Sequence, residues 1–77
     1  MYNVMIVDDE DKIRRGIRTI VPWPELGFAV QGDAASAMEA LKRMEAEGPP
    51  DVVLTDIRMP LMDGIALLEQ IKLRYEG

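Results

Sequence analysis

Apolar positions in this chain come in short blocks, and the blocks alternate between two periodicities. Residues 3–7, Asn-Val-Met-Ile-Val, form an almost unbroken apolar run, and Asp-Asp-Glu-Asp at 8–11 ends it abruptly. A run of this length and β-branched content predicts a strand buried on both faces, as in parallel sheets. Ile13, Ile17, Ile20 and Val21 then recur at helical spacing, with Arg14, Arg15 and Arg18 on other faces. Asp9 or Asp11 is placed to cap this helix, and the acids suit the positive end of its dipole. Pro22 and Pro24 stop it. Residues 22–28 form a connection whose Trp23, Leu26 and Phe28 are expected to pack on the body of the domain.

A second strand pattern covers residues 28–34. Ser36 followed by Glu39 has the form of a capping box, and Ala37, Ala40, Leu41 and Met44 share one helical face behind it. Gly48 ends that helix and Pro49-Pro50 prevent its return. Residues 52–55, Val-Val-Leu-Thr, predict a third strand closed by Asp56. After a loop, Ile65, Leu67, Leu68, Ile71 and Tyr75 mark a third helix, with Asp63 placed to cap it. The order β-α-β-α-β-α implies a parallel α/β sheet with right-handed crossovers. No repeat or low-complexity linker divides the chain.

Two of the three predicted strands end in acid. Strands of a parallel sheet share one C-terminal rim. If strand 1 lies between strands 2 and 3, Asp56 comes beside Asp8 and Asp9, where the crossover direction reverses and open α/β sheets bind ligands. Crowded carboxylates repel, and a hard divalent cation relieves the repulsion. Oxygen-only donors point to Mg²⁺ or Mn²⁺. Asp56 stands alone on its strand end and is the better nucleophile for taking a phosphoryl group. The adjacent Asp8 and Asp9 read as a metal-holding pair. On pattern alone a plainer reading stays open, in which these are solvated turn acids; Asp11, Asp33 and Asp51 are read that way.

Composition narrows the chemistry. The 77 residues, 48% hydrophobic, suffice for one small domain of marginal stability. The chain has no cysteine and no histidine, which excludes disulfides, thiolate zinc sites, histidine acid–base catalysis and Ser-His-Asp triads. A net charge of −5 argues against direct nucleic-acid contact. No apolar stretch is long enough to span a membrane and no signal-peptide pattern opens the chain, so a cytoplasmic location is expected. No glycine-rich turn follows strand 1, which excludes a dinucleotide site. A phosphatase of the haloacid dehalogenase type places D-x-D at that strand end; Asp8 and Asp9 are adjacent instead.

The runs "MIVDDE" and "DVVLTDIRMPLMDG", in this order and with helices between them, resemble the receiver domain of bacterial two-component response regulators. The connection "VPWPELGF" further resembles receivers that precede AraC-type DNA-binding domains. The resemblance implies a flavodoxin-like fold with sheet order 2-1-3. It implies phosphorelay signalling in which a sensor histidine kinase phosphorylates Asp56. It assigns Mg²⁺ to Asp9 directly, to Asp8 through water, and to the backbone carbonyl of Arg58. Met59, Pro60, Asp63 and Gly64 match the loop that shapes the rim, with Gly64 serving backbone geometry; packing explains Met59 and Met62, and the Arg58 side chain is expected to face solvent.

The family fold has five strand–helix units and this chain carries three. Residues 1–77 are therefore expected to form one partial receiver domain without strands 4 and 5. The hydroxyl of the fourth strand and the lysine of the fifth have no counterpart; Lys72 lies on the third helix. An uncovered strand 3 edge is a template for a second chain, so the sheet is expected to be completed by self-association, as a homodimer. The alternative is a non-catalytic half-receiver that only folds and self-associates. At most, Mg²⁺-dependent self-phosphorylation is expected, not enzymatic turnover.

Overall fold

Three strands and three helices alternate as the pattern predicts: β1 (Tyr2–Val7), α1 (Asp11–Ile20), β2 (Phe28–Ala34), α2 (Ala37–Glu47), β3 (Val52–Thr55) and α3 (Gly64–Tyr75). A 3-10 turn, Pro24–Leu26, precedes β2. The structure is a computed structural model that describes residues 1–75. The sheet is parallel throughout, in the order β2-β1-β3. Val4, Met5, Ile6 and Val7 of central β1 are each at most 1% exposed, which is why this strand is apolar at every position rather than at alternate ones.

Handedness then distributes the helices. The β1-to-β2 and β2-to-β3 crossovers run in opposite directions across the sheet, so right-handed connections place α1 and α2 on opposite faces. Met5 and Val7 of β1 pack with Ala37, Ala40, Leu41 and Met44 of α2, and Leu67 of α3 joins the same cluster. The four α2 residues are those of the predicted face, and they are all the residues that α2 buries.

The α1 face is less closed. Ile13, Ile17 and Ile20 form the predicted stripe, yet α1 has no fully buried residue, and Ile13 and Ile20 are exposed. Val52 and Leu54 of β3 are 40% and 45% exposed. Likewise α3 buries Leu67 and half-buries Ile71, while Ile65 and Leu68 of its predicted stripe are exposed. Periodicity marks the apolar side of a helix, but it does not say how much of that side another element covers.

Local signals set the element ends. The Ser36 hydroxyl accepts from the Glu39 amide at 3.1 Å. The Glu39 carboxylate accepts from the Ala35 amide at 3.4 Å, one residue before the cap. Asp63 caps α3 as expected, its Oδ1 accepting from the Ala66 amide at 2.8 Å. At α1 the expectation fails: neither Asp9 nor Asp11 caps it, and Glu10 is the N-cap residue without a side-chain bond. Asp11 lies inside the first turn, where its carboxylate binds Arg14 instead of backbone. Gly48 closes α2 at φ 90°, a conformation that carries a penalty for any residue with a Cβ.

β1 and β2 pair with a bulge: Val4 faces Val30, but Met5 faces Gly32. The extra residue, Gln31, turns its side-chain amide onto the Gly48 carbonyl at 2.8 Å and ties the end of α2 to the edge strand. At the rim where the strands begin, Trp23 meets Phe28 edge-on with ring centroids 6.1 Å apart. Leu26 is exposed rather than packed, because Trp23 and Phe28 take the inward positions of this connection. No described helix is long and apolar enough to cross a membrane.

Leu61 is the one described non-glycine residue with positive φ, at 69°, and its side chain is fully exposed. An L-residue held there costs about 1 kcal/mol and Asn tolerates it better. Leu61→Asn therefore loses no packing and is expected to raise unfolding stability by about 0.5–1 kcal/mol. Urea denaturation followed by Trp23 emission checks this, and β-branched Leu61→Val should move the midpoint the other way.

Candidate functional site

Hydrogen bonding continues one residue beyond the paired strands and delivers the acids to the rim. Val7 faces Thr55 in the β1–β3 register. The Asp8 amide donates to the Ala34 carbonyl at 3.1 Å and the Asp56 amide to the Val7 carbonyl at 3.0 Å. Asp8 and Asp56 are thus neighbours across adjacent strands, and Asp9 follows on the loop. One carboxylate oxygen from each of Asp8, Asp9 and Asp56 lies within 4.8 Å of the others. Asp8 is 6% exposed, Asp56 is intermediate and Asp9 is exposed.

Backbone groups hold two of these carboxylates. Asp8 Oδ1 accepts from the Glu10 amide at 2.9 Å and Asp56 Oδ1 from the Arg58 amide at 3.2 Å. Each is a side chain turned onto the backbone two residues ahead. Oxygens around a Mg²⁺ at about 2.1 Å stand about 3–4.2 Å apart, so carboxylate oxygens within 4.8 Å need only a small side-chain adjustment to share one ion, and the all-oxygen donor set fits a hard divalent cation. The Arg58 side chain is exposed, as expected.

The loop beyond Asp56 is pinned by packing. Met59 is buried in the core and Met62 is half-buried against it, so packing accounts for both. Gly64 donates from its amide to the Ile57 carbonyl at 2.8 Å. A Cβ on Gly64 would strike the Asp56 carbonyl oxygen and lie 3.0 Å from Ile57 Cα. Its φ is not in the left-handed region, so close approach, not backbone freedom, requires glycine here. The Thr55 hydroxyl donates to the same Asp56 carbonyl at 2.9 Å.

Arg14, read from sequence as a residue on a polar face, belongs to the site's framework. Its side chain is only 12% exposed. Nη1 donates to the Asp8 carbonyl at 2.8 Å and Nη2 to Asp11 Oδ1 at 2.6 Å, while Nε stands 3.5 Å from Asp33 Oδ1. The hydrogen bond with Asp11 is the main cause that raises the Arg14 pKa above its ordinary value, against desolvation. Arg18 also pairs with Asp33, at 2.6 Å. Asp11 and Asp33 are therefore structural ion-pair partners rather than merely solvated turn acids. Asp51 is engaged too: its Oδ2 accepts from the Asn3 amide at 2.7 Å. The i,i+3 spacing of Asp11 and Arg14 was visible in sequence; the reach of Arg14 to Asp8 and Asp33 depends on the fold. From the acids, a groove of about 360 Å³ runs between α1 and β3, walled by Ile6, Ile13, Ile17 and Leu54.

The profile of the response regulator receiver domain matches residues 4–77. An "Uncharacterized response regulatory protein" of Staphylococcus epidermidis is 42% identical over 72 residues, which are 94% of this chain and 28% of that protein. A two component transcriptional regulator AraC from Clostridium phytofermentans superposes with a TM-score of 0.89 at 37% identity, over 99% of this chain and 58% of that one. A chain of the CheX-CheY-BeF3-Mg+2 complex from Borrelia burgdorferi gives a TM-score of 0.81 at 34% identity, over 99% and 56%. The chain thus spans less than a third of that curated relative and just over half of these solved chains.

Two glycine substitutions should separate with opposite sign. Gly64→Ala forces the start of α3 away from Asp56 and is expected to cost about 1–3 kcal/mol as overpacking. Gly16→Ala, in α1 with open space around it, should instead stabilise by about 0.5–1 kcal/mol through helix propensity. Urea unfolding of both variants checks the pair.

Proposed function

The chain belongs to the response regulator receiver domain family, and on that premise we propose that it is the phosphoacceptor segment of a phosphorelay, with Asp56 as acceptor. Asp8, Asp9, Asp56 and the backbone carbonyl of Arg58 are the proposed ligands of Mg²⁺, with Mn²⁺ able to replace it. The observation that carries this reading is the convergence of three carboxylate oxygens within 4.8 Å at a parallel-sheet rim. A bound Mg²⁺ would supply charge neutralisation between these carboxylates and the incoming phosphoryl oxygens.

The residues divide the work. A carboxylate oxygen of Asp56 attacks phosphorus and an acyl phosphate forms. With a phosphohistidine donor, the phosphorus–nitrogen bond breaks and its electron pair stays on the imidazole. Asp8 and Asp9 would hold a cation, whose charge would let three negative groups share the notch. Thr55, Gly64 and the Arg58 amide fix the Asp56 backbone and side chain so that little reorganisation is needed. The phosphoryl donor in this reading is a sensor histidine kinase, in the cytoplasm. A net charge of −5 fits a segment that does not itself contact DNA.

Residues 1–77 are read as a partial receiver domain, and its four-residue β3 edge supports self-association. Val52 and Leu54 are exposed beside the apolar groove, and among the described residues β3 pairs with β1 on one side and with no strand on the other. A second copy joining at this edge extends the sheet and covers both residues. Convergence of the acids favours phosphoacceptance over the alternative of a fragment that only folds and associates.

Two measurements test this. Incubation with Mg²⁺ and acetyl phosphate or beryllofluoride should give a one-to-one adduct by mass spectrometry or fluorine NMR, and Asp56→Asn should lose it. An adduct that survives in Asp56→Asn rejects the assignment of the acceptor. Light scattering after size exclusion should give twice the chain mass of 8.7 kDa; a folded species at the single-chain mass in the micromolar range rejects the dimer.

A further inference from the structure

We infer that Arg14 is the positioning residue of the acid pair, holding the loop that carries Asp8 and Asp9 in the place where both face Asp56. This rests on the reading of the three acids as a divalent-cation site.

Asp9 is exposed, and among the described residues no side-chain hydrogen bond fixes its place in the loop. The Arg14 guanidinium donates to the Asp8 carbonyl at 2.8 Å and so holds the loop on the near side of Asp9. On the far side the helix itself holds Glu10, whose carbonyl accepts from the Arg14 amide at 3.0 Å, a backbone bond that any residue but proline would make. The side-chain restraint on the loop before Asp9 is thus the guanidinium's. The guanidinium is anchored in turn by Asp11 on α1 and by Asp33 on β2. Loop, helix and edge strand are joined through one planar group, which makes two hydrogen bonds and a further ion pair at once. Lys has the charge but not this geometry.

The inference makes a prediction whose sign separates it from simple electrostatics. A guanidinium near the site repels a divalent cation, so removing its charge should by Coulomb's law alone tighten metal binding. If Arg14 acts by position, removing it loosens binding in spite of the lost repulsion. Groups that orient metal ligands through hydrogen bonds typically change affinity by about 10–100-fold when lost. Arg15 supplies the control, being on the same helix, of the same charge and exposed.

Mn²⁺ affinity of the full 77-residue chain, by titration calorimetry or electron paramagnetic resonance, is the readout. Trp23, at the opposite rim, reports folding separately. Arg14→Met is expected to weaken Mn²⁺ binding about tenfold, Arg14→Lys to fall between it and the wild type, and Arg15→Met to bind as tightly as the wild type or tighter. Unchanged or tighter binding in folded Arg14→Met overturns the inference. If Arg14→Met does not fold, Arg14→Lys decides alone, and wild-type affinity there overturns it as well. Absence of Mn²⁺ binding by the wild type instead overturns the cation site itself.

Discussion

The parallel pairing of β1 with β3 decides where every acid of interest ends up. Both strands run toward the same rim, and Val7 faces Thr55, so the residues that follow, Asp8 and Asp56, emerge side by side. A slip of two residues would carry Asp56 about 6.6 Å along the strand axis, farther than the whole 4.8 Å span of the cluster. A slip of one residue would turn Val53 away from the core. Four residues are few to fix a register, and the strand is clamped at both ends. At its start the Asp51 amide donates to the Asn3 carbonyl at 2.9 Å while the Asn3 amide bonds the Asp51 carboxylate. At its end the Asp56 amide reaches the Val7 carbonyl.

Each acidic loop is then held by the helix that follows it, in two different ways. Arg14, in the second turn of α1, reaches back to the loop after β1 and binds its backbone. Gly64, the first residue of α3, lets that helix press against the Asp56 carbonyl with no side chain between. One loop is tethered by a charged group and the other by close packing. The difference follows from what surrounds them: the α3 side is closed by Met59 and Leu67, whereas the α1 side is half-open and polar groups must supply the restraint.

Much of this was legible in the residues, for identifiable reasons. A short apolar run rich in β-branched residues and cut off by acids favours a strand buried on both faces, so β1 and its terminal acids stood out. Capping chemistry is local, so Ser36, Glu39 and Asp63 could be read directly. The β-α alternation implied a parallel sheet, but its order, 2-1-3, came only from the resemblance of two short runs to a known family. What escaped depended on distance in space. Arg14 looked like a surface residue because its partners Asp8 and Asp33 lie six and nineteen positions away, on other elements. Gly64 reads in sequence only as serving backbone geometry; that its need is room for the Asp56 carbonyl depends on the fold. The cap of α1 was misplaced because two nearby acids, Asp9 and Asp11, competed on paper; the fold commits Asp11 to Arg14. The extent to which Ile13, Ile20 and Leu68 are uncovered has no signature in periodicity at all.

The three acids form a gradient as well as a cluster. Asp8 is nearly buried against the strand ends, Asp56 is intermediate and Asp9 faces solvent. Burying a carboxylate carries a cost that its Glu10 hydrogen bond offsets in part, and a cation would offset more. The apolar groove starts beside Asp8 and Asp56, so one wall of the notch has a low dielectric constant while the other is water. Charge interactions strengthen toward the apolar wall. If the notch takes a divalent ion, as proposed, Asp8, Asp9 and Asp56 would hold it between an apolar wall and open water. Mg²⁺ retains several waters, and the solvent-facing side of such a notch would be the side left to those waters and to phosphoryl oxygens.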